Sequence, residues 1–248
     1  MGYASQTRQD EFLDQSIFQG FHGGVFVDVG AHDGVSFSNT VMFERNRGWT
    51  GVCIEPNPTV FPQLQANRAA VCLNVAIGRN EGELPFYLVD GYSQMLSGLV
   101  DAMAPRHVDR IKLEIAEHGG TVDIVTVPVR PLSAILREQG VGEVHYLSVD
   151  TEGNEPDVIT STDFAEVMVH VVTAEANYPE SKIQLLAQME AAGFLFAGER
   201  SGDLYFVNHQ SRFVVNKTAL EQRIAAASPH SHRGATRRTL SWIKRRFA

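Results

Sequence analysis

Short runs of β-branched and aromatic residues alternate with helix-length segments in the first third of the chain. The runs VFVDVG (25–30), WTGVCIEP (49–56) and VCLNVAIG (71–78) predict strands, and the segments 36–47 and 59–70 between them predict helices. A β-α-β-α-β order places such strands parallel in one sheet, with helices on its faces. We therefore expect a doubly wound α/β domain.

The second half of the chain continues this pattern. HYLSVD (145–150) and VMVHVVTAEAN (167–177) are strongly apolar and predict two further central strands. FLFAGE and DLYFVN flank Ser201 and Gly202, and this arrangement predicts a closing hairpin. Helices are expected over 101–118 and 156–166.

The first predicted strand ends in a loop of small residues, Asp28-Val29-Gly30-Ala31-His32-Asp33-Gly34. Ligands of open α/β sheets bind at the carboxyl ends of strands, where small residues let a ligand approach the backbone. The loop is not the G-x-G-x-x-G of dinucleotide enzymes, because His32 and Val35 stand where glycines are needed. A tight turn without a ligand is the alternative interpretation.

Glu55 and Pro56 follow the second predicted strand. A carboxylate there offers two acceptor oxygens to the vicinal hydroxyls of a ribose, although Glu55 lies further along than the roughly 20 residues usual for this role. Ala76, at the end of the third predicted strand, suits the wall of an adenine pocket but equally an ordinary core. Together with the glycine loop, Glu55 favours a nucleoside cofactor over a chance surface acid.

Acidic residues crowd the ends of the next two strands. Asp150, Glu152 and Glu155 follow the strand at 145–150, and Glu175 lies near the end of the following one. Crowded buried acids pair with cations, bind a metal or take up protons. Asp150 and Glu175 would suit Mg²⁺, and Asp150 or Glu152 would alternatively serve as a general base. Helix caps or ion pairs with Arg and Lys are the alternative.

Composition excludes several classes of protein. The 248 residues carry a net charge of −8, which argues against nucleic acid as the partner. We see no signal peptide and no apolar run long enough to span a membrane. Cys53 and Cys72 lie in apolar runs and are expected to be free core thiols. A cytoplasmic location is therefore expected.

Three motifs resemble the FkbM family of S-adenosylmethionine-dependent methyltransferases. They are VDVGAHDGVSFSNTVMFE (27–44), WTGVCIEPNP (49–58) and YLSVDTEGNEPDVI (146–159), and the similarity extends over about residues 5–207. The resemblance implies a Rossmann-like class I methyltransferase core, usually a mostly parallel seven-stranded sheet with an antiparallel closing hairpin. It also implies methyl transfer to a hydroxyl of a sugar, glycan or natural product.

The resemblance assigns roles to residues by position in the motifs. It implies that Gly30 and His32 lie by the methionine end of S-adenosylmethionine, Glu55 by the ribose and Asp150 near the transferred methyl. Similar sugar O-methyltransferases hold Mg²⁺ with acids at the ends of strands four and five, which Asp150 and Glu175 match by strand order. The expected cofactor-binding set is Asp28, Gly30, His32, Gly34, Glu55, Pro56, Ala76 and Asp150, and the expected catalytic set is Asp150, Glu152 and Glu175.

We expect three segments: a helical lead-in (1–24), a methyltransferase domain (25–209) and a basic tail (210–248). Residues 81–130, with Ser93, Ser97, His107 and His118, are the expected substrate lid, whereas His145 and His170 are expected to be structural. The tail lacks acids over 228–248, which suits either a solvated tail or a peripheral membrane or partner contact. The expected acceptor is a sugar or other small molecule, and an oligomer is compatible with the sequence.

Two other functions remain open at this point. One is a different nucleotide-dependent α/β enzyme such as a dehydrogenase, which the missing G-x-G-x-x-G disfavours. The other is a non-catalytic module that binds S-adenosylmethionine. The acidic cluster at 150–155 favours an enzyme over such a module.

Overall fold

A computed structural model describes residues 2–213; Met1 and residues 214–248 lie outside the described part. Within the described residues, eleven strands form two sheets. The seven strands of the large sheet are β1 (Val25–Val29), β2 (Thr50–Ile54), β3 (Val71–Leu73), β8 (Glu143–Val149), β9 (Met168–Glu175), β10 (Phe194–Arg200) and β11 (Asp203–Asn208). The four strands of the small sheet are β4 (Ala76–Ile77), β5 (Gly82–Asp90), β6 (Gly98–Leu99) and β7 (Thr121–Arg130).

The large sheet has the strand order β10-β11-β9-β8-β1-β2-β3. Neighbouring strands from β3 to β9 run parallel, and β11 and β10 complete the edge in antiparallel orientation. The chain builds outward from β1 to β3 and then returns to place β8 on the other side of β1. This reversal between β1 and β8 is the topological switch point, where open α/β sheets bind ligands. The predicted fold class is confirmed.

Helices cover both faces of the large sheet. The helices are α1 (Gln9–Phe12, continued by a π-helical turn Leu13–Ile17), α2 (Val41–Arg47), α3 (Phe61–Asn67), α4 (Pro105–His118), α5 (Leu132–Glu138), α6 (Glu155–Thr160) and α7 (Pro179–Ala191). The first three pack on one face through an aromatic-rich cluster that includes Phe43 and Trp49, and α5 to α7 pack on the other. Because β8 and β9 are buried on both faces, their sequences are almost continuously apolar.

The predicted closing hairpin is also present. Ser201 (φ 54°) and Gly202 (φ 99°) connect β10 to β11, and both have the positive φ that a two-residue hairpin turn requires. The basic tail over 228–248, with its expected membrane or partner contact, lies outside the described residues. Within residues 2–213, no helix combines the length and the apolar character needed to cross a bilayer.

The prediction of one strand over 71–78 was wrong. The segment forms β3 in the large sheet and β4 in the small one, and Asn74 separates them. The side-chain amide of Asn74 donates to the carbonyl oxygens of Glu55 (2.8 Å) and Pro56 (3.1 Å), so a side chain replaces the strand ladder at this bend.

Several predicted helix bounds also differ from the structure. The helix expected over 36–47 begins at Val41, because Asp33 Oδ1 accepts the backbone N–H groups of Val35 and Ser36 and closes a turn first. The helix expected over 101–118 begins at Pro105, and the one expected over 156–166 ends at Thr160.

Candidate active site

A cavity of about 630 Å³ lies at the carboxyl edge of the large sheet, beside the switch point. Its walls come from the loop after β1, the loop after β2, β4 and the segment that follows β8. Residues 92–99 of the small-sheet insertion form the opposite wall. Six of the expected cofactor-binding residues line it: Gly30, His32, Glu55, Pro56, Ala76 and Asp150.

Gly30 brings the glycine loop against the end of β8. Its φ is +89°, and a Cβ at this position would lie 1.7 Å from the backbone oxygen of Asp150. The N–H groups of Gly30 and Ala31 both donate to the carbonyl oxygen of Ile54, at 2.9 and 3.0 Å. Only glycine fits here, so the sequence fixes the shape of this wall.

Glu55 is a buried carboxylate at the cavity wall. Its Oε2 accepts the backbone N–H of His32 at 2.8 Å, and its Oε1 accepts that of Asn57 at 2.8 Å. Burial raises the pKa of Glu55, and these two N–H groups act against that rise. Each carboxylate oxygen has a second lone pair for a hydroxyl donor, so the loops after β1 and β2 together hold a diol-binding group.

His32 also faces the cavity, in a left-handed backbone conformation with φ 48°. Both ring nitrogens are buried, and within the described part of the chain neither has a hydrogen-bond partner; Asp33 Oδ1 lies 3.8 Å from Nδ1. Burial lowers the pKa of His32, but Asp33 and Glu55 raise it more, so the net shift is upward. A buried ring whose nitrogens lack hydrogen-bond partners among the described residues is suited to a polar group of a ligand.

Asp28 and Gly34 do not line the cavity, so the direct cofactor contacts predicted for them are not seen in its walls. Asp28 accepts a hydrogen bond from Thr40 Oγ1 at 2.5 Å, and its Oδ2 lies 3.8 Å from Nη1 of the fully buried Arg68. Successive residues of a strand face opposite sides, and the Asp28 side chain lies with the aromatic-rich face under α2 and α3. A Cβ on Gly34 would lie 2.7 Å from the Arg68 side chain.

Three carboxyl groups meet at the other end of the cavity wall. Oxygens of Asp150, Glu152 and Glu175 lie within 4.8 Å of one another. Burial raises the pKa of Asp150 to about 7 and, together with the Asp150 charge, that of Glu152 to about 8. Burial and the same two neighbours hold the pKa of Glu175 well above its ordinary value. The group is therefore poised to accept a proton or a cation.

Glu155 does not belong to this group, because its carboxylate binds the loop that precedes α6. Its Oε1 accepts the backbone N–H groups of Thr151 (2.9 Å) and Gly153 (3.1 Å). The carboxylate thus closes the loop that carries Glu152, which has a left-handed backbone with φ 58°.

The insertion supplies cavity residues that the sequence did not reveal. Ser93 and Ser97 line the cavity as members of the region expected to cover it, but Tyr92, Gln94 and Arg110 do so without having been singled out. Tyr92 and Gln94 lie in an irregular segment without a hydrophobic period, and Arg110 is a polar position of α4, so no signal in the sequence marks these side chains as cavity residues.

A second cluster, at the opposite edge of the sheet, consists of Glu143, His145 and His170, whose ligand atoms also lie within 4.8 Å of one another. The backbone N–H of Val25 donates to His145 Nδ1 at 3.0 Å, and the guanidinium of Arg212 lies 2.5 Å from Nε2, so both ring nitrogens already face donor groups and neither is free to bind a metal. Arg212 lies 3.5 Å from Glu143 and already supplies a cation. The cluster is best described as a structural network.

The chain is similar to one protein family and to two solved structures. The model of the methyltransferase FkbM domain matches residues 28–197. Among solved structures, a methyltransferase FkbM from Methylobacillus flagellatus KT is 14% identical, with a TM-score of 0.48; the match covers 74% of this chain and 43% of that one. A precorrin-6y C5,15-methyltransferase from Geobacter metallireducens GS-15 is 11% identical, with a TM-score of 0.40; coverage is 82% of this chain and 86% of that one.

This chain thus spans less than half the length of the first of these two structures. No curated protein matches the sequence. The family match covers well over half of the chain and includes the glycine loop, Glu55 and the acidic group. The chain therefore belongs to the FkbM family of methyltransferases.

Proposed function

We propose that the protein uses S-adenosylmethionine to methylate a hydroxyl of a sugar, glycan or natural-product acceptor. The observation that carries this proposal is that one cavity contains both a buried diol-binding carboxylate, Glu55, and a group of carboxyls with raised pKa values, Asp150, Glu152 and Glu175. The first fits an adenosine ribose, and the second fits removal of a proton from the acceptor.

The residues present fit the cofactor. Glu55 offers acceptor lone pairs to the ribose hydroxyls, and His32 has two buried nitrogens without hydrogen-bond partners among the described residues. Gly30 has no side chain between its backbone and the cavity. S-adenosylmethionine supplies a methyl group on a sulfonium centre. Among cavity residues, Ala76 and Pro56 would offer apolar surface to the base.

The chemistry requires alignment and one proton transfer. The acceptor hydroxyl would be aligned with the methyl group of the bound cofactor for in-line transfer, and a carboxylate of the acidic group would take up the hydroxyl proton. Positioning of the two reactants supplies much of the acceleration in such a displacement. Asp150, with a pKa of about 7, is matched to proton acceptance near neutral pH, and Glu152, with a pKa of about 8, lies beside it.

The same group fits a divalent cation, because its hard oxygen donors are crowded and partly buried. Asp150 and Glu175 would hold Mg²⁺, which would lower the pKa of an acceptor hydroxyl. Among residues 2–213, no Arg or Lys forms an ion pair with either carboxylate. Residues 81–130 would act as the lid over the acceptor. The protein would work in the cytoplasm.

The first test is calorimetric titration of S-adenosylhomocysteine, with and without Mg²⁺, into wild type, Glu55→Ala and the helix-surface control Glu190→Ala. We expect micromolar binding by wild type and the control, and at least a tenfold loss in Glu55→Ala. Loss of this size follows when a buried hydrogen-bonding group is removed from a ligand that needs it. Equal binding by all three proteins would refute the ribose assignment.

The second test separates catalysis from binding. Asp150→Asn should retain S-adenosylhomocysteine binding and lose turnover when wild type and variant are assayed on a panel of methyl glycosides and polyketide alcohols. Unchanged turnover would contradict the assignment of Asp150. Cofactor binding by wild type with no release of S-adenosylhomocysteine on any acceptor would favour the non-catalytic module instead.

A further inference from the structure

Helix α4 of the insertion carries a fully buried histidine beside the acidic group. His107 has no exposed surface, and its Nε2 lies 3.2 Å from the carbonyl oxygen of Leu96. A carbonyl oxygen only accepts hydrogen bonds, so Nε2 carries the ring proton. Burial lowers the pKa of His107, so the ring is neutral and Nδ1 presents a lone pair.

This lone pair points at Glu152. The distance from His107 Nδ1 to Glu152 Oε2 is 3.5 Å, and within the described residues neither atom has a hydrogen-bond partner. A hydrogen bond between these two buried, otherwise unpartnered atoms satisfies both at once.

Neither Arg110 nor Glu155 replaces His107 as the partner of the Glu152 carboxyl. Arg110 lies on the next turn of α4, but its Nε pairs with Glu114 at 3.2 Å. Glu155 is engaged by the backbone of its own loop. His107 is therefore the side chain best placed to hold the Glu152 carboxyl.

We propose that His107 is a positioning residue for Glu152, holding one carboxyl oxygen through Nδ1 so that the carboxyl group stays at the acceptor end of the cavity. The proposal rests on the proposed function in taking this end of the cavity as the acceptor side. It gives the insertion a role beyond covering the site, because His107 and Leu96 both belong to residues 81–130, whereas Glu152 follows β8.

A neighbouring contact keeps the first turn of α4 in place. The guanidinium of Arg106 stacks 3.7 Å above the ring of Tyr178, and its Nη2 lies 2.5 Å from Glu180 Oε2. Tyr178 and Glu180 follow β9, at the same sheet edge as Glu175. The turn that carries His107 is thus attached to the large sheet independently of the Glu152 contact.

Two substitutions separate positioning from support of the fold. The amide of His107→Asn takes the place of Nδ1 and retains a group for Glu152, whereas that of His107→Gln reaches the place of Nε2 and retains only the bond to Leu96. His118→Asn, at the other end of α4, is the matched control. Crystal structures with S-adenosylhomocysteine, thermal melts and cofactor titration would be obtained for all four proteins.

We expect Glu152 to keep its wild-type rotamer in His107→Asn and to leave it in His107→Gln, with similar melting temperatures for both variants. Nitrogen NMR of the imidazole should show the Nε2–H tautomer, and Glu152→Ala should shift the Nδ1 resonance while Nε2 stays unchanged. An Nδ1–H tautomer, or an unmoved Glu152 in His107→Gln, would overturn the proposal. Failure of the cofactor to bind wild type would instead count against the proposed function, since the NMR result does not depend on it.

Discussion

Alanine at Gly30 should destabilise the protein far more than alanine at Gly23, although both glycines have positive φ. Gly30 has φ +89° and its added Cβ would lie 1.7 Å from the backbone oxygen of Asp150. Gly23 has φ +70° and its added Cβ would meet nothing within 4 Å. The pair therefore isolates the steric contact from the backbone strain that the two substitutions share.

The magnitudes follow from these geometries. Left-handed backbone costs an alanine about 1–2 kcal/mol, and the reduced entropy of the unfolded chain offsets about 0.5 of this, so Gly23→Ala should cost about 1 kcal/mol. At Gly30 the strands must also separate by about 1.5 Å to restore van der Waals distance. That movement would break the 2.9 Å bonds from Gly30 N–H to Ile54 and from Asp150 N–H to Val29. At about 1 kcal/mol per bond, Gly30→Ala should cost about 3–4 kcal/mol.

Thermal and urea unfolding would measure the difference. A change of 1 kcal/mol shifts the melting temperature of a domain of this size by about 2–4 °C, so we expect about 3 °C for Gly23→Ala and about 10 °C for Gly30→Ala. Gly30→Ala should also weaken S-adenosylhomocysteine binding, because its Cβ displaces the end of β8. Equal melting temperatures for the two variants would show that this edge of the sheet yields freely, and would refute the reasoning.

Two further predictions concern buried charges away from the cavity. Burial lowers the pKa of His145 to about 4. Between pH 6.5 and 4 the unfolded chain therefore binds a proton that the folded chain does not. The free energy of unfolding should fall by about 1–3 kcal/mol as the pH is lowered through this range. Urea unfolding of His145→Asn should show this slope reduced, whereas the exposed control His22→Asn should keep it; equal slopes in both would contradict the assignment. Arg68→Met leaves Asp28 and Glu44 without their buried cation, so it should lower the free energy of unfolding by about 3–5 kcal/mol in the same assay. Much of this loss should be recovered in the double variant Asp28→Asn/Arg68→Met. No recovery would indicate that the loss comes from packing instead.

The large sheet could be predicted because its strands carry the physical signature of their position. β8 and β9 are mostly apolar because both faces are covered, and Ser201-Gly202 marks a turn because its backbone needs positive φ. The division of 71–78 between two sheets could not be predicted in this way. Local periodicity shows that a segment is extended but does not show which strand it pairs with, and here the Asn74 side chain decides the break.

The residues of the candidate site were likewise predictable only in part. Strand-end residues such as Glu55 and Asp150 were identifiable because parallel strands end at one edge, so order along the chain translates into proximity. Asp28 also belongs to the predicted cofactor set, but alternation along β1 directs its side chain to the face of the sheet under α2 and α3, where it contacts Thr40 and Arg68. His107 depends on how a whole insertion folds over that edge, and no spacing in the sequence encodes its approach to Glu152.

The distribution of buried cations gives these acids a common explanation. Arg68 is fully buried and lies against Asp28 and Glu44, so carboxylates behind the glycine loop have their charge compensated within the chain. Asp150 and Glu175 have no such partner among residues 2–213, and their pKa values are raised. A buried acid without a cation favours whatever removes its charge, whether a proton or a bound cation. Burial raises the pKa of Asp28 as well, although Arg68 lies beside it. The cavity holds two buried carboxyls without such a cation among the described residues, so a ligand or cation that compensates their charge must stabilise the fold, by an amount that grows with the logarithm of its affinity.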